Sequence, residues 1–225
     1  MVFRGIIFDF NGVLFWDADL QVLSWQPMAG KLRGYEMTPQ ELDTQMHGRP
    51  NAYVLSYLAG RPIEGQELKD LIEVKEGHYR SLCLQNPDEF VLSPGAESLL
   101  DALVAAAIPR TIATSSEITN VRFFIEHLQL ARWFDVSQIV YDDGIRPGKP
   151  APDVYKAAAA NLGLAPKDCV VVEDAVSGIA SAHAAGVGHL IGLAQGSAHA
   201  RLAECPGVAE VIESLAQFPR ALLIP

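Results

Sequence analysis

Asp9 stands at the end of the apolar run Val2 to Phe8, where a buried strand would run out. A carboxylate in that position is a candidate nucleophile or metal ligand, because open α/β sheets gather their ligands outside the carboxyl ends of the strands. Three more polar groups follow the same logic. Thr114-Ser115-Ser116 closes the run containing Ile112, and Glu173-Asp174 closes Cys169-Val170-Val171-Val172. Lys149 lies in the Pro-flanked loop Gly148-Lys149-Pro150-Ala151-Pro152-Asp153. If the strands are parallel neighbours, all four clusters converge. A carboxylate nucleophile can accept a phosphoryl group. Asp9 and Asp174 offer the hard oxygens that suit Mg2+, an ion that takes one or two carboxylates and keeps several waters. Thr114 and Lys149 can hold the equatorial phosphoryl oxygens while charge develops.

Taken singly, each group has a plainer role. Asp9 and Asn11 fit a turn before Gly12, Thr114 to Ser116 fit a helix N-cap, and Lys149 fits a solvated loop. Glu173-Asp174 fits a helix start, where acids complement the dipole. Only their joint occurrence, each at a strand end or a Pro-flanked loop, argues for one site.

The elements that must position these groups can be read from pattern. The near-continuous apolar character of Val2 to Phe8 predicts a strand covered on both faces. Residues 16 to 88 read as helical. Thr38-Pro39-Gln40-Glu41 is a capping box with Pro at the first helical position, Arg61-Pro62 breaks a helix, and Gln66 to Leu84 repeats apolar residues at helical spacing. Ser93-Pro94-Gly95 then opens a helix from Glu97 to Ala107, with Ser93 as its cap. Beyond it, strands are expected at Arg110 to Ala113, Val136 to Val140, Cys169 to Val172 and His189 to Leu193. Helices are expected at Val121 to Leu128, Val154 to Leu162 and Gly178 to Ala185. That alternation predicts βαβ units and an α/β fold: a Rossmann-like parallel sheet core, residues 1–15 and 89–225, interrupted by an inserted helical cap domain, residues 16–88.

The segment Phe8-Asp9-Phe10-Asn11-Gly12-Val13 resembles the signature of the haloacid dehalogenase-like (HAD) phosphohydrolases, Asp-x-Asp-Gly followed by Thr or Val. Gly148-Lys149-Pro150-Ala151-Pro152-Asp153, Val172-Glu173-Asp174-Ala175-Val176-Ser177-Gly178 and Ser93-Pro94-Gly95 match the family's later motifs in order. The resemblance is nearest to the β-phosphoglucomutase-like branch. It implies that Asp9 is the nucleophile and that Mg2+ is held by the Asn11 backbone carbonyl and Asp174, with Glu173 as an outer or alternative ligand. It further implies that Thr114, Ser115 and Lys149 bind the transferring phosphoryl group. His47-Gly48-Arg49 corresponds to a cap loop that reaches over the site in relatives. Arg49 is then either the contact for a second substrate anion or a solvated cap residue.

Three positions depart from the pattern. The family's second aspartate, its general acid/base, is Asn11 here. Trp16 stands where relatives often have Asp, and Gln21 stands where mutase relatives have His. The resemblance therefore implies a Mg2+-dependent phosphatase for a small phosphorylated metabolite, slowed by Asn11. A phosphomutase and a phosphate-binding module without turnover are the alternatives.

Bulk properties frame these expectations. The net charge of −10 disfavours nucleic acid, which needs a basic face. No apolar run approaches the eighteen or so residues of a membrane span. Cys83, Cys169 and Cys205 are odd in number and unclustered, against a disulfide framework or zinc site. A cytoplasmic monomer is the expectation.

Overall fold

Four buried residues, Gly5–Phe8, form β1, the strand around which the sheet is built. The computed structural model describes residues 2–223. It adds β2 (Arg110–Glu117), β3 (Val140–Asp142), β4 (Cys169–Glu173), β5 (His189–Leu193) and β6 (Val208–Ile212), all parallel, in the order β3-β2-β1-β4-β5-β6. The inner strands are apolar without alternation because helices cover both faces. Ile6, Ile7, Phe8, Val170, Val171 and Val172 have no exposed surface. Each such side chain contributes about 1.5–3 kcal/mol relative to exposure.

The chain divides into two compact units, Asp17–Val91 and the segments on either side of it. The inserted unit holds α1 (Ala18–Arg33), the single turn α2 (Pro39–Glu41), α3 (Asn51–Ala59) and α4 (Gly65–Gln85). Its own core is Trp25, Met28, Ala29, Val54, Leu55, Leu58, Ile63 and Leu71. It also buries charge. Lys75 donates to Gln21 Oε1 and Glu76 Oε1, both at 2.9 Å. Asn51 donates to Glu76 Oε1 at 2.7 Å, and Asp17 Oδ2 accepts from Gln21 and from the Tyr79 hydroxyl. The Lys75 ammonium lies 4.7 Å from the Trp25 ring centroid. The Thr38 capping box forms as the sequence predicts.

The sheet is flanked by α5 (Ala96–Ala105), α6 (Ile118–His127), α7 (Asp153–Asn161), α8 (Val176–Ala185) and α9 (Ser197–Ala203). Three local expectations differ from what forms. Val136–Gln138 is a 3-10 turn, because the Asp135 carboxylate accepts from the Ser137 N–H and hydroxyl. Strand pairing begins only at Val140. Ser93 does not cap α5; its hydroxyl donates to the Val13 carbonyl at 2.6 Å, and Gly95 takes the N-cap position. Strand β6 escaped the sequence reading because it is a short edge strand with Ala209 and Glu210 exposed, residues of low strand preference. No helix among the described residues is long and apolar enough to cross a membrane.

Glu41 anchors the start of α2. Arg33 binds both its oxygens, at 2.7 and 3.1 Å, while the Thr38 N–H and Tyr57 hydroxyl also donate to it. These contacts, Arg33 foremost, hold the carboxyl well below the usual range. A depressed folded-state pKa gives stability that is complete above the unfolded value of about 4.3. That stability is lost as pH falls toward the folded value. Glu41→Gln is expected to cost about 1 kcal/mol at pH 7. The gap to wild type should close between about pH 5 and pH 2. Urea melts across that range check it, and a pH-independent gap would assign Glu41 a role through shape alone.

Candidate functional site

Strand register brings the polar clusters level. Phe8 pairs with Ile112 on one side and Val172 on the other, so Asp9 emerges beside the continuations of β2 and β4. The chain runs from β1 to β2 and β3 on one side and then crosses back to β4 on the other side of β1, and the crevice outside the strand ends at such a switch is the usual ligand site. The Asp9 N–H donates to the Val172 carbonyl at 3.0 Å, which fixes the residue after the strand. Strand β2 runs on through Thr114, Ser115 and Ser116 to Glu117, four residues beyond the expected end, with a register irregularity against β3.

Lys149 is the centre of the cluster. Its ammonium, buried with the side chain, donates to Asp9 Oδ1 at 2.6 Å and to Glu173 Oε1 at 2.5 Å. Burial disfavours the cation, but the two carboxylates outweigh it and raise the Lys149 pKa. Asp9 responds in the opposite sense to what one ion pair would give. Its burial is the largest effect and, with Glu173 adding to it, outweighs Lys149 and pushes the Asp9 carboxyl up to about 7. The carboxylates of Asp9, Glu173 and Asp174 against one ammonium leave an anionic excess at the strand ends.

Glu173 is held by four donors. Oε1 accepts from Lys149 and from the Tyr155 hydroxyl at 2.7 Å, and Oε2 accepts from the backbone N–H groups of Asp174 and Ala175. It fits against α8 only because residue 178 lacks a Cβ, which would lie 1.6 Å from Glu173 Oε1. Gly12, at φ +80°, performs the same service for Asp174, whose Oδ2 would be 1.9 Å from a Cβ there. Carboxylate oxygens of Asp9, Glu173 and Asp174 lie within 4.8 Å of one another. An all-oxygen donor set beside an anionic excess suits a hard divalent cation.

On the other side of Asp9, the Ser116 hydroxyl donates to Asn11 Oδ1 at 2.8 Å, and the Ser116 N–H donates to Thr114 Oγ1 at 3.0 Å. Thr114 is buried and Ser115 half-buried. The sheet unit thus gathers Asp9, Asn11, Thr114, Ser115, Lys149, Glu173 and Asp174. His47 and Arg49 belong to the helical unit, where the Arg49 guanidinium lies 4.8 Å from the Tyr53 ring centroid. Tyr155 and Gly178 were missed as site residues. Tyr155 reads in sequence as a core position of α7; the available hint was that a buried tyrosine hydroxyl usually finds a partner.

The sequence pattern of the haloacid dehalogenase-like hydrolases matches residues 3–186. Hexitol phosphatase A of Escherichia coli is 29% identical over 214 residues, covering 94% of this chain and 93% of its own length. The β-phosphoglucomutase of Bacillus subtilis is 28% identical over 198 residues, covering 86% of this chain and 84% of its own. Among solved structures, a HAD hydrolase of family IA, variant 3, from Entamoeba histolytica superposes with a TM-score of 0.86 at 35% identity. The match covers 97% of both chains.

The contact at Gly178 supplies a test of how tightly this site is packed. Gly178→Ala must displace the Glu173 carboxylate and with it Lys149, at a cost of about 1–3 kcal/mol from overpacking. The usual helix gain of up to about 1 kcal/mol for Gly to Ala should be hidden beneath that loss. Thermal melts measure the balance. A variant as stable as wild type would mean that Glu173 has room to move.

Proposed function

The chain belongs to the haloacid dehalogenase-like hydrolases, and from that membership we propose a Mg2+-dependent phosphatase of small phosphorylated sugars or sugar alcohols, working through an aspartyl-phosphate on Asp9. The observation that carries this reading is the buried Asp9 carboxylate, paired with Lys149 and beside Asp174 at the switch point of the sheet. The substrate class draws on the name of the hexitol phosphatase relative and on an acidic surface that leaves phosphate recognition to local cations.

Asp9, the Asn11 backbone carbonyl and Asp174 would hold Mg2+, with Glu173 outside them because its oxygens are already committed to four donors. Bound there, Mg2+ would supply positive charge against the anionic excess and polarise the phosphoryl oxygens. Asp9 attacks phosphorus, the bond to the ester oxygen breaks, and water then cleaves the aspartyl-phosphate to release phosphate. Lys149 and Thr114, with Ser115 beside them, bind the transferring oxygens. The leaving alkoxide needs a proton that Asn11 cannot supply, since a carboxamide does not exchange one near neutral pH. Turnover is accordingly slow, by about 10²–10⁴-fold. On this reading the unit Asp17–Val91 would serve as the cap, and its Arg49 and His47 would recognise the substrate's distal group. A mutase is disfavoured because Gln21, engaged with Asp17 and Lys75, offers no exchangeable proton where mutase relatives carry His.

Asn11→Asp is expected to raise Mg2+-dependent hydrolysis of alkyl phosphates by about 10²-fold or more, and that of nitrophenyl phosphate by less. Asp9→Ala should abolish both in either background. Phosphate release with Mg2+ present and absent measures this; a folded Asn11→Asp variant without gain would leave phosphate binding as the function. Mass spectrometry should accompany the assay, because Asn-Gly sequences can deamidate, although here the Gly12 N–H is engaged by the Phe15 carbonyl at 2.7 Å.

Arg49→Ala should raise KM for a hexitol phosphate or sugar bisphosphate by about 10-fold, the worth of one charged contact. KM for nitrophenyl phosphate should hardly change. Equal effects on both would remove Arg49 from distal recognition.

A further inference from the structure

Tyr155 is fully buried on α7 and makes two contacts with the charged cluster, although it belongs to none of the motifs. Its hydroxyl donates to Glu173 Oε1 at 2.7 Å. Its ring lies beside the Lys149 ammonium, with 5.0 Å from Nζ to the ring centroid. Lys149 and Tyr155 therefore share one oxygen atom of Glu173, and Lys149 also reaches Asp9.

Three contacts meet at Lys149, with Asp9, Glu173 and the Tyr155 ring, and their balance decides where the ammonium sits. A buried carboxylate needs its lone pairs satisfied. With the Tyr155 hydroxyl in place, Oε1 has two donors and draws less on the ammonium. The ring's electron-rich face adds a weak, non-competing attraction that keeps the cation near. Remove the hydroxyl, and Lys149 becomes the only side-chain donor to Oε1 among the described residues. The stronger pull toward Glu173 then comes at the expense of Asp9 and of any phosphoryl oxygen arriving beside it.

We propose that Tyr155 is a positioning residue: by sharing Glu173 with Lys149 it keeps the ammonium directed at Asp9 and the phosphoryl group. It touches neither substrate nor the reacting atoms. The proposal rests on the phosphoryl-transfer reading of the site for its kinetic consequences, but its structural consequence stands apart from that reading.

The decisive variant is Tyr155→Phe, which keeps the ring and deletes one donor. In the Asn11→Asp background, where turnover is easiest to follow, it should lower kcat/KM by about 10- to 100-fold, the usual effect of losing an outer partner of a catalytic group. In a Lys149→Ala background the same change should have almost no effect, because Tyr155 acts through Lys149. Equal losses in both backgrounds, or no loss in either, would overturn the proposal, and so would a loss that tracks the fraction unfolded in thermal melts. A crystal structure of Tyr155→Phe gives the second readout. It should show Nζ still on Glu173 and its contact with Asp9 lengthened beyond hydrogen-bond distance; an unmoved ammonium would refute the claim. If wild type and Asn11→Asp both fail to release phosphate, the phosphatase reading fails while that structure still decides the role of Tyr155.

Discussion

A buried ammonium between two carboxylates is the constraint on which this site depends. Isolated charges do not survive in a dry interior, and breaking a buried pair by removing one partner typically costs about 3–5 kcal/mol. Lys149 therefore forces order on its surroundings. Asp9 must end β1 beside β4, Glu173 must end β4, and the loop carrying Lys149 must come back over both. That loop is itself tied down, since the Ser181 hydroxyl on α8 donates to the Ala151 carbonyl. The absence of a Cβ at residue 178 and the Tyr155 hydroxyl are later consequences of the same need: a carboxylate this close to a helix requires space and donors.

The fold and the site were not equally legible in the sequence. Continuous apolar runs ending in Asp9 and Glu173 marked the central strands, because burial on both faces leaves no other pattern. His189–Leu193 was legible for the same reason. The edge strands were not. The start of β3 is displaced by an Asp135 turn that uses side-chain bonds no periodicity reveals, and β6 presents exposed residues with little strand preference. Of the site, the charged residues announced themselves by type and by position after apolar runs. Tyr155 did not, because a tyrosine in an apolar helix face looks like core until the partner of its hydroxyl is known. The buried network of the helical unit was equally silent: Asp17 and Gln21 lie at the start of α1 and Lys75, Glu76 and Tyr79 on α4, and no sequence pattern pairs the two groups.

Asn11 changes the chemistry of the site while leaving its architecture intact. The side-chain oxygen accepts from Ser116 just as a carboxylate oxygen would, and the backbone around Gly12 is set by Asp174 and Phe15 rather than by the identity of residue 11. An aspartate there would bring the crevice to four carboxylates against one ammonium. Asn11 removes one of those negative charges, which eases the approach of a phosphate dianion by Coulomb's law at close range. On the phosphatase mechanism proposed above, the same carboxamide offers no proton to a leaving alkoxide. On that reading Asn11 would move the site in two directions, toward holding a phosphorylated ligand and away from releasing it quickly. The balance turns on the leaving group: good leaving groups feel mainly the improved binding, and poor ones mainly the missing proton.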